Sequence, residues 1–138
     1  MKILMQKVDE RGVAAAEFAL LLPVLLLMLL GIIEFGMIMY SREVLTNAAR
    51  EGARAGIVQG PPKRTEGEIK TIATNYLTNT GINPSKVDFE VTGELSVSPN
   101  NLTVKATYEY NFLFPYFPMM VGIPSPLDIR TQVVMRHE

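Results

Sequence analysis

Cysteine and tryptophan are absent from the 138 residues, and histidine occurs once, at His137. Without cysteine there is no disulfide framework, no thiol nucleophile and no cysteine-ligated zinc, although this alone does not fix the compartment. His137 lies one residue from the C-terminus, has no catalytic neighbours in sequence and reads as a tail residue. Charge of one sign is not in excess either. Thirteen Lys and Arg stand against 14 Asp and Glu, so the net charge of −1 gives no electrostatic case for nucleic acid. No glycine-rich phosphate loop, metal-ligand cluster or nucleophile motif is visible, and the carboxylates are scattered. The sequence argues against an enzyme, and no cofactor, metal or small-molecule substrate is expected.

Apolar residues, by contrast, crowd into the first 58 positions. From Phe18 to Ile33 the chain reads FALLLPVLLLMLLGII, and with Glu34 allowed the run continues to Tyr40. As a helix it spans roughly 33 Å, close to a hydrocarbon core of about 30 Å. It is apolar all round, unlike a surface helix, and a domain this small could not wrap it. Pro23 removes one backbone donor and frees the carbonyl of Ala19, so a kink is expected, best tolerated where a neighbouring helix covers the gap. The basic start fits a secretory signal, but the run is too long. The small residues Ala14, Ala15 and Ala16 also precede it instead of following it. Lys2, Lys7 and Arg11, offset by Asp9, Glu10 and the distal Arg42, favour a cytoplasmic N-terminus and an external C-terminal domain.

Two acids interrupt this segment, Glu17 at its start and Glu34 within it. A charge at the bilayer centre costs at least about 2.5–3.5 kcal/mol on insertion scales. Two readings stand side by side. Each acid snorkels to an interface, or each meets a cation from another subunit or stays protonated until it does.

The residues around Glu17 sharpen the second reading. Asp9-Glu10-Arg11-Gly12-Val13-Ala14-Ala15-Ala16-Glu17-Phe18 joins a charged leader, a glycine, four small uncharged residues, a glutamate and an aromatic. It resembles a type IV prepilin processing site. Further on stand Ile33-Glu34-Phe35-Gly36 and Thr46-Asn47-Ala48-Ala49-Arg50-Glu51-Gly52-Ala53-Arg54. With the junction they resemble the TadE-like family, pseudopilins of the tight-adherence (Flp) pilus machinery within the type IV pilus and type II secretion world. The resemblance covers about the first 58 residues. It implies cleavage by a prepilin peptidase between Gly12 and Val13 on the cytoplasmic side, which makes Glu17 the fifth mature residue. The freed amine of Val13 would then be a cationic partner for a glutamate of a neighbouring subunit, and such a pair in low dielectric is strong only when both partners are present. The partners implied are the bacterial inner membrane, the prepilin peptidase, other pilin-like subunits and the pilus assembly platform.

Read from the residues alone, Arg42 to Val58 is an amphipathic continuation of the helix. Ala48, Gly52 and Gly56 form a small-residue ridge four apart, which permits close backbone approach. It fits either cover by the chain's own C-terminal domain or packing against a second pilin-like helix. Gln59-Gly60-Pro61-Pro62-Lys63 breaks the helix. Thr65 to Glu68 is a capping-box pattern, Ile69, Ile72, Ala73, Tyr76 and Leu77 then share a face, and Gly81 supplies a stop. Val87, Phe89 and Val91 alternate, as do Leu95 and Val97, then Leu102 through Phe112, and finally Ile129, Thr131, Val133 and Met135. Ser98-Pro99-Asn100-Asn101 reads as a turn. The segment Leu113–Pro126, LFPYFPMMVGIPSP, is apolar but broken by four prolines and cannot be a central strand. It fits either core cover or a sticky surface facing membrane or partner.

The expected fold class is α+β. A long pilin-like transmembrane helix precedes a small domain with a helix packed on a three-stranded antiparallel sheet. The expected organisation is a leader over 1–12, the helix over 13–58, a linker over 59–64 and the extracytoplasmic domain over 65–138. The expected function is a minor pilin of a tight-adherence pilus system. The alternative is a membrane-tethered binding module outside any pilus.

Overall fold

The computed structural model describes residues 10–58, 64–93 and 101–136. The leader up to Asp9, the break Gln59–Lys63, the Leu95/Val97 alternation, the turn at Ser98–Asn100 and His137 lie outside them.

Helix α1 runs from Glu10 to Ile57, 48 residues, or about 72 Å of rod. Leu and Ala are its commonest residues and favour helix strongly. It stays helical through Pro23. Helix α2 (Glu66–Leu77) starts at the expected capping box: the Thr65 hydroxyl accepts from Glu68 N at 3.3 Å, and Thr65 N donates to the Glu68 carboxylate at 2.7 Å. It ends at Leu77, and Gly81 takes a positive φ of 77° in the turn that follows. Strands β1 (Val87–Thr92), β2 (Asn101–Tyr110) and β3 (Leu127–Arg136) form one antiparallel sheet in the order β1-β2-β3. Phe89 pairs with Ala106, and Ala106 with Thr131. A short helix α3 (Phe117–Val121) interrupts the proline-rich connection between β2 and β3. The α+β architecture expected from the sequence is the one observed.

One sheet face is apolar because the strands alternate. Phe89, Val91, Leu102, Val104, Ala106 and Ile129 are buried. The distal part of α1 lies on β2 and β3, with α2 beside it reaching β1. Leu45, Ala48, Ala49 and Ala53 of α1 and Ile69, Ala73 and Leu77 of α2 are fully buried there. Each fully buried large aliphatic side chain contributes about 1.5–3 kcal/mol. The opposite face of the sheet is polar, with Lys105 3.3 Å from Glu90 across the strands. Long-range hydrogen bonds tie α1 into the domain: Thr46 Oγ1 with Thr131 Oγ1 at 2.9 Å, and Tyr40 Oη donating to the Thr80 carbonyl at 2.9 Å. The domain's core is therefore completed by the upper part of the N-terminal helix.

Candidate functional site

Helix α1 changes character along its length. From Val13 to Leu29 its large apolar side chains are exposed almost throughout, as at Leu20, Val24, Leu25 and Met28. It is the one helix among the described residues long and apolar enough to cross a membrane. Gly12, Val13 and Glu17 all lie on this exposed part, outside the contacts of the domain.

Glu34 has a different setting. It is 1% exposed and seated between α1 and the end of the sheet. The Tyr110 hydroxyl donates to its Oε2 at 2.8 Å, and Phe114 N donates to its Oε1 at 2.7 Å. An interface position or a cation from another subunit was open to it on sequence grounds; its own chain supplies two donors instead. The Tyr110 and Phe112 rings stand edge to face at 5.5 Å, and Phe112 lies in turn 6.3 Å from the Phe117 ring. Burial first, then the hydrogen bond to Glu34, pushes the Tyr110 phenol well above its ordinary range. A buried carboxyl with both oxygens engaged joins two parts of the chain, because separating them strands two donors as well as the acid.

Sequence reasoning identified the acid but missed Tyr110 and Phe114, which lie 76 and 80 positions away. Only the alternating apolar pattern hinted at them, by ending in the aromatics Tyr108, Tyr110 and Phe112.

The ridge Ala48, Gly52 and Gly56 is used within the chain. A Cβ at Gly52 would lie 3.2 Å from Ala73 Cβ and 3.3 Å from the Ile69 carbonyl oxygen. At Gly56 it would collide with Leu102 Cδ2 at 2.4 Å and Ile69 Cδ1 at 2.7 Å. Of the two readings of the ridge, cover by the C-terminal domain is the one present in this structure. Arg54 and Glu51 pair on the solvent side at 2.7 Å. The proline-rich segment divides between its two readings. Phe112, Phe117 and Pro118 are buried, whereas Leu113, Tyr116, Met119 and Met120 are exposed. No cluster of acids or histidines suited to a metal ion occurs among the described residues.

Residues 12–54 match the family model described as TadE-like protein. No curated protein and no solved structure matches the chain. The matched span holds the Gly12–Phe18 junction, Glu34 and, of the small-residue ridge, Ala48 and Gly52; Tyr110, Phe114 and the proline-rich segment lie outside it. Residues 12–54 thus form a TadE-like segment, and this segment on an apolar N-terminal helix, followed by a small α+β domain, fits a pilin-like protein associated with tight-adherence pili.

Proposed function

We propose that the protein is a minor pilin of a tight-adherence pilus system, cut after Gly12 and assembled through its N-terminal helix. One observation carries this reading: the TadE-like match includes the Gly12–Phe18 junction, and that junction leads into a helix whose apolar surface the chain itself leaves uncovered. Before assembly, the inner membrane receives this surface, with the N-terminus cytoplasmic and the α+β domain outside. After assembly, other pilin-like helices receive it. Glu17 is the acid available for register, because it is exposed on the uncovered half while Glu34 is occupied within its own chain. The prepilin peptidase and the assembly platform are the remaining partners.

The test is the intact mass of the protein from its native membrane. Loss of the first 12 residues, with Val13 at the new N-terminus, is the expected result. An uncut chain from cells with active prepilin peptidase would overturn the reading in favour of a tethered binding module. A Glu17→Ala chain that is processed yet assembles as well as the original would remove the role given to Glu17.

A further inference from the structure

We propose that the α3 segment is a second membrane contact: a wedge that enters the outer leaflet beside α1, carrying Tyr116, Met119 and Met120 into the acyl region. The inference rests on α1 being the membrane span, and it adds a site that the span alone does not require.

Height along the helix is the first argument. The ring of Phe117, at the start of α3, lies 3.6 Å from where a Cβ on Gly31 would be, and Phe114 N is bonded to Glu34. Gly31 is thirteen residues above Phe18, about 20 Å along the axis. A hydrocarbon core of about 30 Å that starts at Phe18 therefore ends about 10 Å above α3. On α1 at the same level Ile32 and Phe35 are 71% and 62% exposed, so the apolar surface of the helix continues directly into that of α3. Met119 and Tyr116 are 84% and 79% exposed, which in water would be an unusual cost for adjacent large side chains.

Charge and backbone agree with this placement. The sequence from Tyr110 to Leu127 contains no charged residue. The first charges beyond it, Asp128 and Arg130, share a surface recess with Ile38, Met39 and Arg42 of α1, at the height expected of headgroups. Backbone donors are costly in lipid unless bonded. Pro115, Pro118, Pro124 and Pro126 have none, and Phe114, Phe117, Met120 and Ile123 donate to Glu34, Phe114, Tyr116 and Pro118. Glu34, the one acid at this depth, is sealed beneath the segment.

The absence of tryptophan makes a direct test possible. Single-tryptophan variants Met120→Trp and Met119→Trp of the full chain, both at exposed positions, are reconstituted in phosphatidylcholine vesicles with brominated acyl chains. Leu25→Trp serves as the reference in the span and Lys70→Trp, exposed on α2 at the level of Gly52 and Gly56, as the reference in the domain. The expected result is blue-shifted emission and bromine quenching at 119 and 120 that approach those of the span reference, with Lys70→Trp quenched only by aqueous acrylamide. Quenching at 119 and 120 by acrylamide alone would overturn the wedge while leaving the span in place. Protection from both quenchers, with crosslinks between chains at 120, would overturn it in favour of a second copy covering α3. Bromine quenching of Lys70→Trp to the same degree would overturn it in favour of general surface adhesion. An unquenched Leu25→Trp would overturn the span itself and the wedge with it.

Discussion

From Val13 to Leu29, helix α1 turns Leu, Val and Met outward. From Val44 to Ile57 it turns Ala and Gly inward against α2 and the sheet. Both stretches are helix and both are rich in apolar residues, yet size is distributed in opposite ways. Large side chains suit the first because fluid acyl chains adapt to any shape and need only apolar area. Small ones suit the second because a fixed partner surface lies within contact distance. Volume, more than hydrophobicity, distinguishes the half made for lipid from the half made for protein. Glu34 lies between them, one turn above Leu30 and Gly31, where the domain first meets the helix.

Predictions that test this contrast can be ordered by size. Glu34→Ala strands the Tyr110 hydroxyl and Phe114 N and leaves a cavity. At about 1–3 kcal/mol for each stranded donor it should be the most destabilising change, read by denaturant unfolding of the full chain in detergent. Glu34→Gln should cost clearly less, since the amide keeps one acceptor oxygen and the Tyr110 hydroxyl can rotate to accept from its NH2. Equal losses for the two would show that geometry, not acceptor capacity, sets the seat. Next, Leu45→Ala should cost about 2–5 kcal/mol, while Leu25→Ala, at an exposed site, leaves domain unfolding unchanged. A matching loss at Leu25 would erase the distinction between the halves. Gly56→Leu overpacks against Leu102 and Ile69 and should cost about 1–3 kcal/mol, whereas Gly36→Leu enters open space and should be neutral or stabilising. The smallest effect belongs outside α1. Thr65→Ala removes the α2 cap at about 1 kcal/mol.

The same cap adds a pH dependence. The backbone and hydroxyl of Thr65, in that order, hold the Glu68 carboxyl below its ordinary value of 4.5. Its contribution is therefore complete above that value and fades as pH falls through and below it. Glu68→Gln should flatten this acid limb in thermal unfolding, and an unchanged limb would assign it to other carboxylates.

Local chemistry was legible from the sequence, and pairing across distance was not. Thr65 and Glu68 announced the start of α2, and the alternation of Phe89 with Val91 and of Leu102 with Val104 announced strands, because caps and pleats are written in neighbouring residues. The four prolines correctly excluded a strand after β2. The expected strand through Phe112 stops at Tyr110, because the chain turns there toward α1 while Phe112 remains in the core. Gly52 and Gly56 advertised close packing without saying against what, since a missing Cβ fits an outside helix as well as Ile69 and Leu102. Glu34 was conspicuous as an acid in an apolar run, but its donors come from a part of the chain that only the completed sheet brings near.

The bond between Thr46 and Thr131 joins positions 85 apart, so the first wall of the core is synthesised long before the last. Contacts of such separation close slowly, because the intervening loop must be ordered before they can form. A fragment beginning after the proline break would lack Leu45, Ala49 and Ala53 of the buried core and would uncover the surfaces of α2, β2 and β3 against which α1 packs. For this chain the usual strategy of removing the anchor to obtain a soluble domain therefore also removes part of the fold, and a useful truncation has to retain the helix from about Leu30 onward.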